Sequence, residues 1–397
     1  MSPANGRHDA GPGAPLHPLA ERLRRLSLVP TAPFREQWVA REARRQATAI
    51  PGLESGIDAF QNTVLRLRRG RPAASTATFV AHLDHPGFVF PADGAVAEPG
   101  PACRYRARFE GRVRDEYFPG APVRLYREAS DPGIPGRVVE FSPVDSRNED
   151  RVVLLEADSP ADGALLAMWD VEPFAERDGM LHSRAADDLA GVAALLEMLH
   201  RLAASGEDVD VAVILTRAEE AGFCGLLCLL DEPRLPALVP DDTIFVSVEI
   251  SREMPSVRLG EGAVIRAGDR SSTFDGRVTD TLAGLAAANG IIARRALMDG
   301  GTCEATAFTR AGLRTGGVCA PVRAYHNQDP DSHRVVAEQV ALADLIALEA
   351  LCRGLAVACN RGEQAPVGAT IPFDRFLAKG RRELPLPSET PAHQPVS

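Results

Sequence analysis

Two histidines and several carboxylates stand out because each lies at the end of an apolar run or where two runs meet. His82 closes the β-branched stretch TATFVAHL and is followed by Asp84 and His85. Asp187 and Asp188 open an apolar-periodic stretch, and Glu219 and Glu220 come shortly after the run VDVAVILT. Glu249 falls at the end of TIFVSVEI, and Tyr325 and His326 sit in a loop rich in Pro, Asn and Asp. Strand ends and strand–helix junctions are where open α/β sheets bind ligands.

Each group alone has an ordinary reading. A strand-end histidine is usually structural, although a carboxylate two residues on can brace its ring. Two aspartates at a helix start commonly cap it. Glu249 reads as a solvated strand end, and His326 as a loop residue. Glu219-Glu220 is harder to dismiss: neighbouring carboxylates after a buried strand repel each other and lose hydration unless a cation or a proton compensates.

Taken together, two imidazoles and several carboxylates with no clustered cysteine form a nitrogen–oxygen site. It suits zinc, cobalt or manganese. One metal needs about three protein ligands and an open position, so five candidates suit two metals better. Two cations sharing a carboxylate would acidify water and polarise a carbonyl. A free glutamate beside a ligand glutamate supplies a proton shuttle.

Something must hold these groups in place. Amphipathic helices are predicted over Leu16–Leu28 and Phe34–Ala49, and buried strands over the runs ending at Leu83, Thr216 and Ile250. Helical periodicity runs from Ala185 to a stop at Gly206, over Ala221–Leu230, over Thr279–Asn289 with Gly290 as its stop, and over Val335–Cys359. Val318–Ala320 reads as strand. Strands alternating with helices predict an α/β fold, a mostly parallel sheet with helices on both faces. From Phe88 to about Met180 short apolar runs alternate with Gly and Pro, which reads as a small β-barrel or sandwich inserted into that sheet unit. The expected organisation is a disordered tail over 1–15, a split α/β unit over 16–87 and 181–360, the inserted barrel over 88–180, and a Pro-rich tail over 361–397.

The 397 residues carry a net charge of −10, which disfavours nucleic acid and anionic membrane as partners. No uncharged apolar run is long enough to span a bilayer, and the first residues lack the apolar core of a secretion signal. Seven irregularly spaced cysteines without a CxxC pair fit reduced thiols in a cytoplasmic protein.

The ordered motifs resemble the glutamyl-aminopeptidase or tetrahedral-aminopeptidase family of co-catalytic zinc peptidases. His82-Leu83-Asp84-His85-Pro86-Gly87 resembles HxDxxG, and Asp187-Asp188-Leu189-Ala190-Gly191 resembles DDRxG. Thr216 to Gly222 resembles TxxEExG, Leu259 to Gly262 an LGxGP-like turn, Gly300-Gly301-Thr302 the start of GGTDA, and Pro321 to His326 a loose PxRYxH. The resemblance covers about residues 76 to 355. It implies a β-barrel inserted between the His and Asp-Asp motifs that closes the site or mediates dimers, and homo-oligomers from dimers to dodecamers. It further implies two bound divalent metals and a peptide substrate. Asp187 would bridge the metals, His82 and Glu249 would complete one, and Glu220 and His326 the other. Glu219 would be the general base, Asp84 would orient His82, and Asp188 would fix the geometry of the bridge.

The chain departs from the pattern in four places. Glu249 stands where the family has Asp and Leu189 where it has Arg, and Cys303 and Glu304 alter the GGTDA loop. Cys303 could be a nucleophile, but no base is seen to pair with it, so a pocket-wall role is the simpler reading. Cys224 and Cys228, one helical turn apart, read as packing residues. Two other functions compete on the same scaffold. One is an N-acyl amino acid deacylase, for which Arg314 or Arg323 would hold a substrate carboxylate; the other is a non-catalytic, metal-stabilised oligomer.

Overall fold

The structure is a computed structural model that describes residues 15–100, 102–142, 151–364 and 373–383. Four parallel strands form the centre of an eight-stranded mixed sheet, side by side in the order Val209–Thr216, Thr76–His82, Thr243–Arg252 and Thr315–Val322. Thr63–Arg69 and then Leu53–Ile57 extend one side antiparallel. Ala263–Asp269 extends the other side antiparallel, and Ala293–Met298 pairs parallel with it at the edge.

The central strands are buried on both faces, so successive side chains enter different cores. Phe79, Val213 and Val246 pack with the helices Ala186–Ser205 and Leu342–Arg361. Their neighbours Val80, Ile214 and Phe245 pack on the opposite face with Leu226, Leu229 and Phe308. The predicted α/β class with helices on both faces is therefore found.

Between the first and second halves of the sheet the chain closes a six-stranded barrel, from Gly87–Val89 through Leu166–Trp169. It has an aromatic core of its own. Phe88, Phe109, Phe118 and Trp169 meet edge to face with ring centres 4.8 to 5.4 Å apart, an arrangement favoured by the ring quadrupoles.

Several boundaries differ from the periodicity. The long helix does not begin at Val335: Glu338–Ala341 is a strand paired with Met180–Ser183, and the helix runs Leu342–Arg361. The local string VVAEQVALADL reads as helix, but pairing with a distant strand outweighs that preference. The short helix after Glu220 spans Cys224–Asp231. Ala293–Met298 (ARRALM) and Thr63–Arg69 (TVLRLRR) carry arginines that blur strand alternation, and neither was predicted. The expected Pro-rich tail over 361–397 contains a helix, Phe373–Glu383, with Phe376 and Leu377 exposed. The expected tail over residues 1–14 lies outside the described residues, as does the segment beyond 383.

The start of Ala186–Ser205 is also unlike an ordinary cap. Asp187 and Asp188 have non-helical backbone angles, and the Oδ2 of Asp188 accepts the backbone N–H of His82 at 3.2 Å. Gly191 leaves room for that carboxylate, because a Cβ there would lie 2.2 Å from Asp188 Oδ1. Gly191→Ala is expected to destabilise the protein by about 1–3 kcal/mol through overpacking. Gly284→Ala, in an exposed helical position where a Cβ would meet nothing within 4 Å, is expected to stabilise it by about 0.4–1 kcal/mol. Denaturant titration of the two variants checks both signs.

Candidate metal centre

The C-terminal ends of the four parallel strands converge on one buried site. His82 ends its strand, Glu219 and Glu220 follow Thr216, and His326 follows Thr315–Val322. Glu249 differs from expectation in lying inside its strand, which continues to Arg252. Asp187 enters from the helix start. His82, Asp187 and His326 are almost wholly buried, and Glu219 and Glu249 are nearly so.

Asp187 occupies the middle. Its Oδ1 lies 3.4 Å from Nε2 of His82, and its Oδ2 lies 3.6 Å from Nε2 of His326. Nε2 of His326 is also 2.8 Å from Glu220 Oε1, and Nε2 of His82 is 3.9 Å from Glu219 Oε2. Each imidazole has its Nδ1 against a backbone carbonyl, His82 against Asp84 O at 3.1 Å and His326 against Arg112 O at 2.8 Å. A carbonyl only accepts, so Nδ1 carries a proton and Nε2 is the atom turned toward the carboxylates.

Two groups of possible ligand atoms fall within 4.8 Å of one another: His82, Asp187 and Glu220, and His82, Glu219 and Glu249. Asp187 Oδ1, Glu220 Oε1 and His326 Nε2 are buried and make no hydrogen bond. Such groups are costly to bury unless something positive meets them. Donor type, ring orientation and missing partners all fit divalent cations, and the five expected ligands lie around one site.

The charges point the same way. Burial raises Glu219 and Glu249 well above or above the usual carboxylate range, and neighbouring carboxylates add to it. Burial also opposes the charged form of His82 and His326, but the surrounding carboxylates pull both well above the ordinary histidine value. Burial works against the charged form of Asp187 too, yet the two imidazoles hold its carboxyl below the usual range.

Asp84 meets the His82 ring through its main-chain carbonyl at 3.1 Å, with its carboxylate Oδ1 farther off at 3.7 Å. The carboxylate instead accepts the backbone N–H groups of Glu219 and Glu220, both at 3.0 Å. Burial pushes it up to about 7. Ser247 braces Glu249 with a 2.7 Å hydrogen bond.

Other residues were missed by reading the sequence. The carboxylate of Glu338 accepts the backbone N–H of Asp187 at 2.9 Å and of His326 at 2.7 Å, joining two ligand candidates 139 positions apart. His85 reaches Asp187 O at 2.7 Å and Asn327 Oδ1 at 2.8 Å. Asn327 is oriented by donating to the carbonyls of Arg184 and Val336. Glu36 accepts the N–H of Ala218 and the guanidinium of Arg217, fixing the turn into Glu219. Ala218, Ala324, His326 and Asn327 all have left-handed backbone angles, and these bonds hold them there. No local motif announces such partners, since each lies far away in sequence.

Of the departures, Leu189 is buried core. Cys303 lies in a small buried cluster with Phe274 and Ala305, and burial raises its thiol, as a pocket-wall role requires. Glu304 is fully buried, with both oxygens unpartnered and its carboxyl pushed up to about 8 by that burial. Cys224 is half-buried, but Cys228 is exposed and does not serve as a packing residue. Arg314 precedes its strand at the sheet edge opposite the site, and Arg323 pairs with Asp331 at the surface, so neither is placed to hold a substrate carboxylate there.

A strand-end site with two imidazoles and several carboxylates is the donor set of a metal-dependent hydrolase. The family model for M42 glutamyl aminopeptidase matches residues 166–342. The Pyrococcus horikoshii TET1 peptidase superposes with a TM-score of 0.65 at 22% identity, covering 85% of this chain and 99% of that one. An aminopeptidase from Desulfurococcus kamchatkensis gives 0.68 at 20% identity, over 87% and 96%. A TET aminopeptidase from a marine-sediment thaumarchaeon gives 0.68 at 17%, over 87% and 97%. The structures establish the shared fold. The matched family is the one that the motifs resemble, and the chain is a peptide hydrolase.

Glu338→Gln would set an amide N–H₂ against a buried backbone N–H. It is expected to cost about 1–3 kcal/mol, visible as a lower denaturation midpoint of the metal-free protein.

Proposed function

We propose that this chain is an aminopeptidase that removes N-terminal residues from peptides, using two divalent ions, zinc in the first place, and Glu219 as general base. The observation that carries this reading is Asp187, whose two oxygens face the Nε2 atoms of two different histidines. In this reading Asp187 would be shared between the ions, with His82 and Glu249 holding one and Glu220 and His326 the other. When bound, the ions supply Lewis acidity to a substrate carbonyl and lower the pKa of water.

The chain's own groups do the rest. Glu219 takes a proton from the attacking water and passes it to the leaving amine. Asp84 holds the Glu219–Glu220 backbone and thereby aims the base, while Asp188 holds the main chain at His82. We assign residues 88–180 to an inserted barrel unit and residues 16–87 with 181–360 to a split catalytic unit. The barrel's separate aromatic core supports this division.

A cytoplasmic homo-oligomer completes the reading. The seven cysteines are free, and no helix among the described residues is long and apolar enough to cross a membrane. The Pyrococcus relative is described as assembling into a tetrahedron or a large octahedral shell.

Metal-loaded protein is expected to cleave aminoacyl anilides and free-amine peptides, to lose activity with a chelator and to regain it with zinc. Turnover of N-acyl amino acids alone, or none at full metal occupancy, refutes the aminopeptidase reading. Glu219→Gln is expected to lower kcat by about 10²–10⁴-fold with metal content unchanged. An unaffected rate removes Glu219 from the role of base.

A further inference from the structure

His82 and His326 are held in different ways. His82 leans on the carbonyl of Asp84, two residues along its own chain. His326 leans on the carbonyl of Arg112, which belongs to the barrel. Residues 111–114 leave the barrel strand Arg104–Glu110 and lead into the short helix Asp115–Tyr117.

The same segment is fastened on both sides. Toward His326, the Arg114 N–H donates to Gln328 Oε1 at 3.0 Å, and the Tyr117 hydroxyl donates to the carbonyl of Asp329 at 3.0 Å. Val335, at the end of that hairpin, packs on the barrel core. Toward the His82 motif, Gly111 has a φ of +102° and lies so close to Pro86 that a Cβ would stand 2.7 Å from its Cβ and 2.9 Å from its Cα. The loop is thus wedged between the two histidine-bearing segments, and its carbonyl is pinned from both.

We infer that the barrel is a positioning element of the metal centre: the Arg112 carbonyl sets the ring and tautomer of His326, so the ion held by His326 depends on the barrel while the ion held by His82 does not. The inference rests on the two-metal reading above. A brace on the far nitrogen of a ligand histidine fixes its orientation and raises its basicity, and losing one typically weakens metal binding by about 10–100-fold.

Gly111→Ala forces the segment off Pro86 and moves the Arg112 carbonyl. Gly120→Ala is the control. Gly120 lies in the same barrel region with a φ of +69°, but a Cβ there meets nothing within 4 Å, so it puts an alanine at a positive φ in the barrel without displacing the brace. Zn²⁺ titration against a competing chelator is expected to show one of two ions weakened by about 10–100-fold in Gly111→Ala, with the other unchanged and both unchanged in Gly120→Ala. Nitrogen-detected NMR of the metal-free protein is expected to show the Nδ1–H···O=C hydrogen bond of His326 weakened in Gly111→Ala and that of His82 intact.

Equal zinc binding in wild type and Gly111→Ala, or equal weakening in both variants, overturns the inference. If Gly111→Ala does not fold, Tyr117→Phe keeps the ring and removes its bond to Asp329. It is expected to weaken the same ion, and unchanged affinity overturns the inference. Wild-type protein that takes up no zinc refutes the metal reading instead, and the His326 Nδ1–H hydrogen bond then decides the barrel's role by itself.

Discussion

The structure is organised around the problem of burying several carboxylates together. Asp187, Glu219, Glu220 and Glu249 turn toward two imidazoles where little water reaches, and like charges at such range repel strongly. Three further acids hold the main chain beneath them. Asp84, Asp188 and Glu338 turn their oxygens to backbone N–H groups of Glu219, Glu220, His82, Asp187 and His326. The main chain under the site is thereby anchored by carboxylates, and the inward side chains are left with unsatisfied atoms. That combination of a rigid frame and orphaned donors suits a site built for cations.

The sheet explains why these groups can meet. Four neighbouring parallel strands end on one edge, so residues from four distant parts of the chain arrive within a few ångströms. The turns that leave those strands adopt left-handed angles at Ala218, Ala324, His326 and Asn327. Such angles persist only where surrounding bonds hold them, and here Glu36, Glu338 and Asn327 supply those bonds. The barrel then adds the Arg112 carbonyl from outside the sheet, making the insertion part of the site's frame as well as a unit with its own core.

Much of this was legible in the chain itself. The β-branched run before His82, the acidic pairs after Thr216 and before Leu189, and the 3.6 periodicity toward Gly206 are local signals, because strand burial, charge repulsion and helix amphipathicity act over a few residues. They determined the α/β class and put His82, Asp187, Glu220, Glu249 and His326 at the ends of elements, while the ligand role of these five is what the motif resemblance implies. Tertiary structure alone decided what braces them. Glu338 reads locally as helix, yet it is a strand residue joining Asp187 to His326; Asp84 looks like a partner for His82, yet its carboxylate holds Glu219 and Glu220; Arg112 carries no signal at all, since a backbone carbonyl is the same in every residue. Periodicity records which face of an element is buried, but which distant amide or carbonyl completes a hydrogen bond is set by how the elements pack.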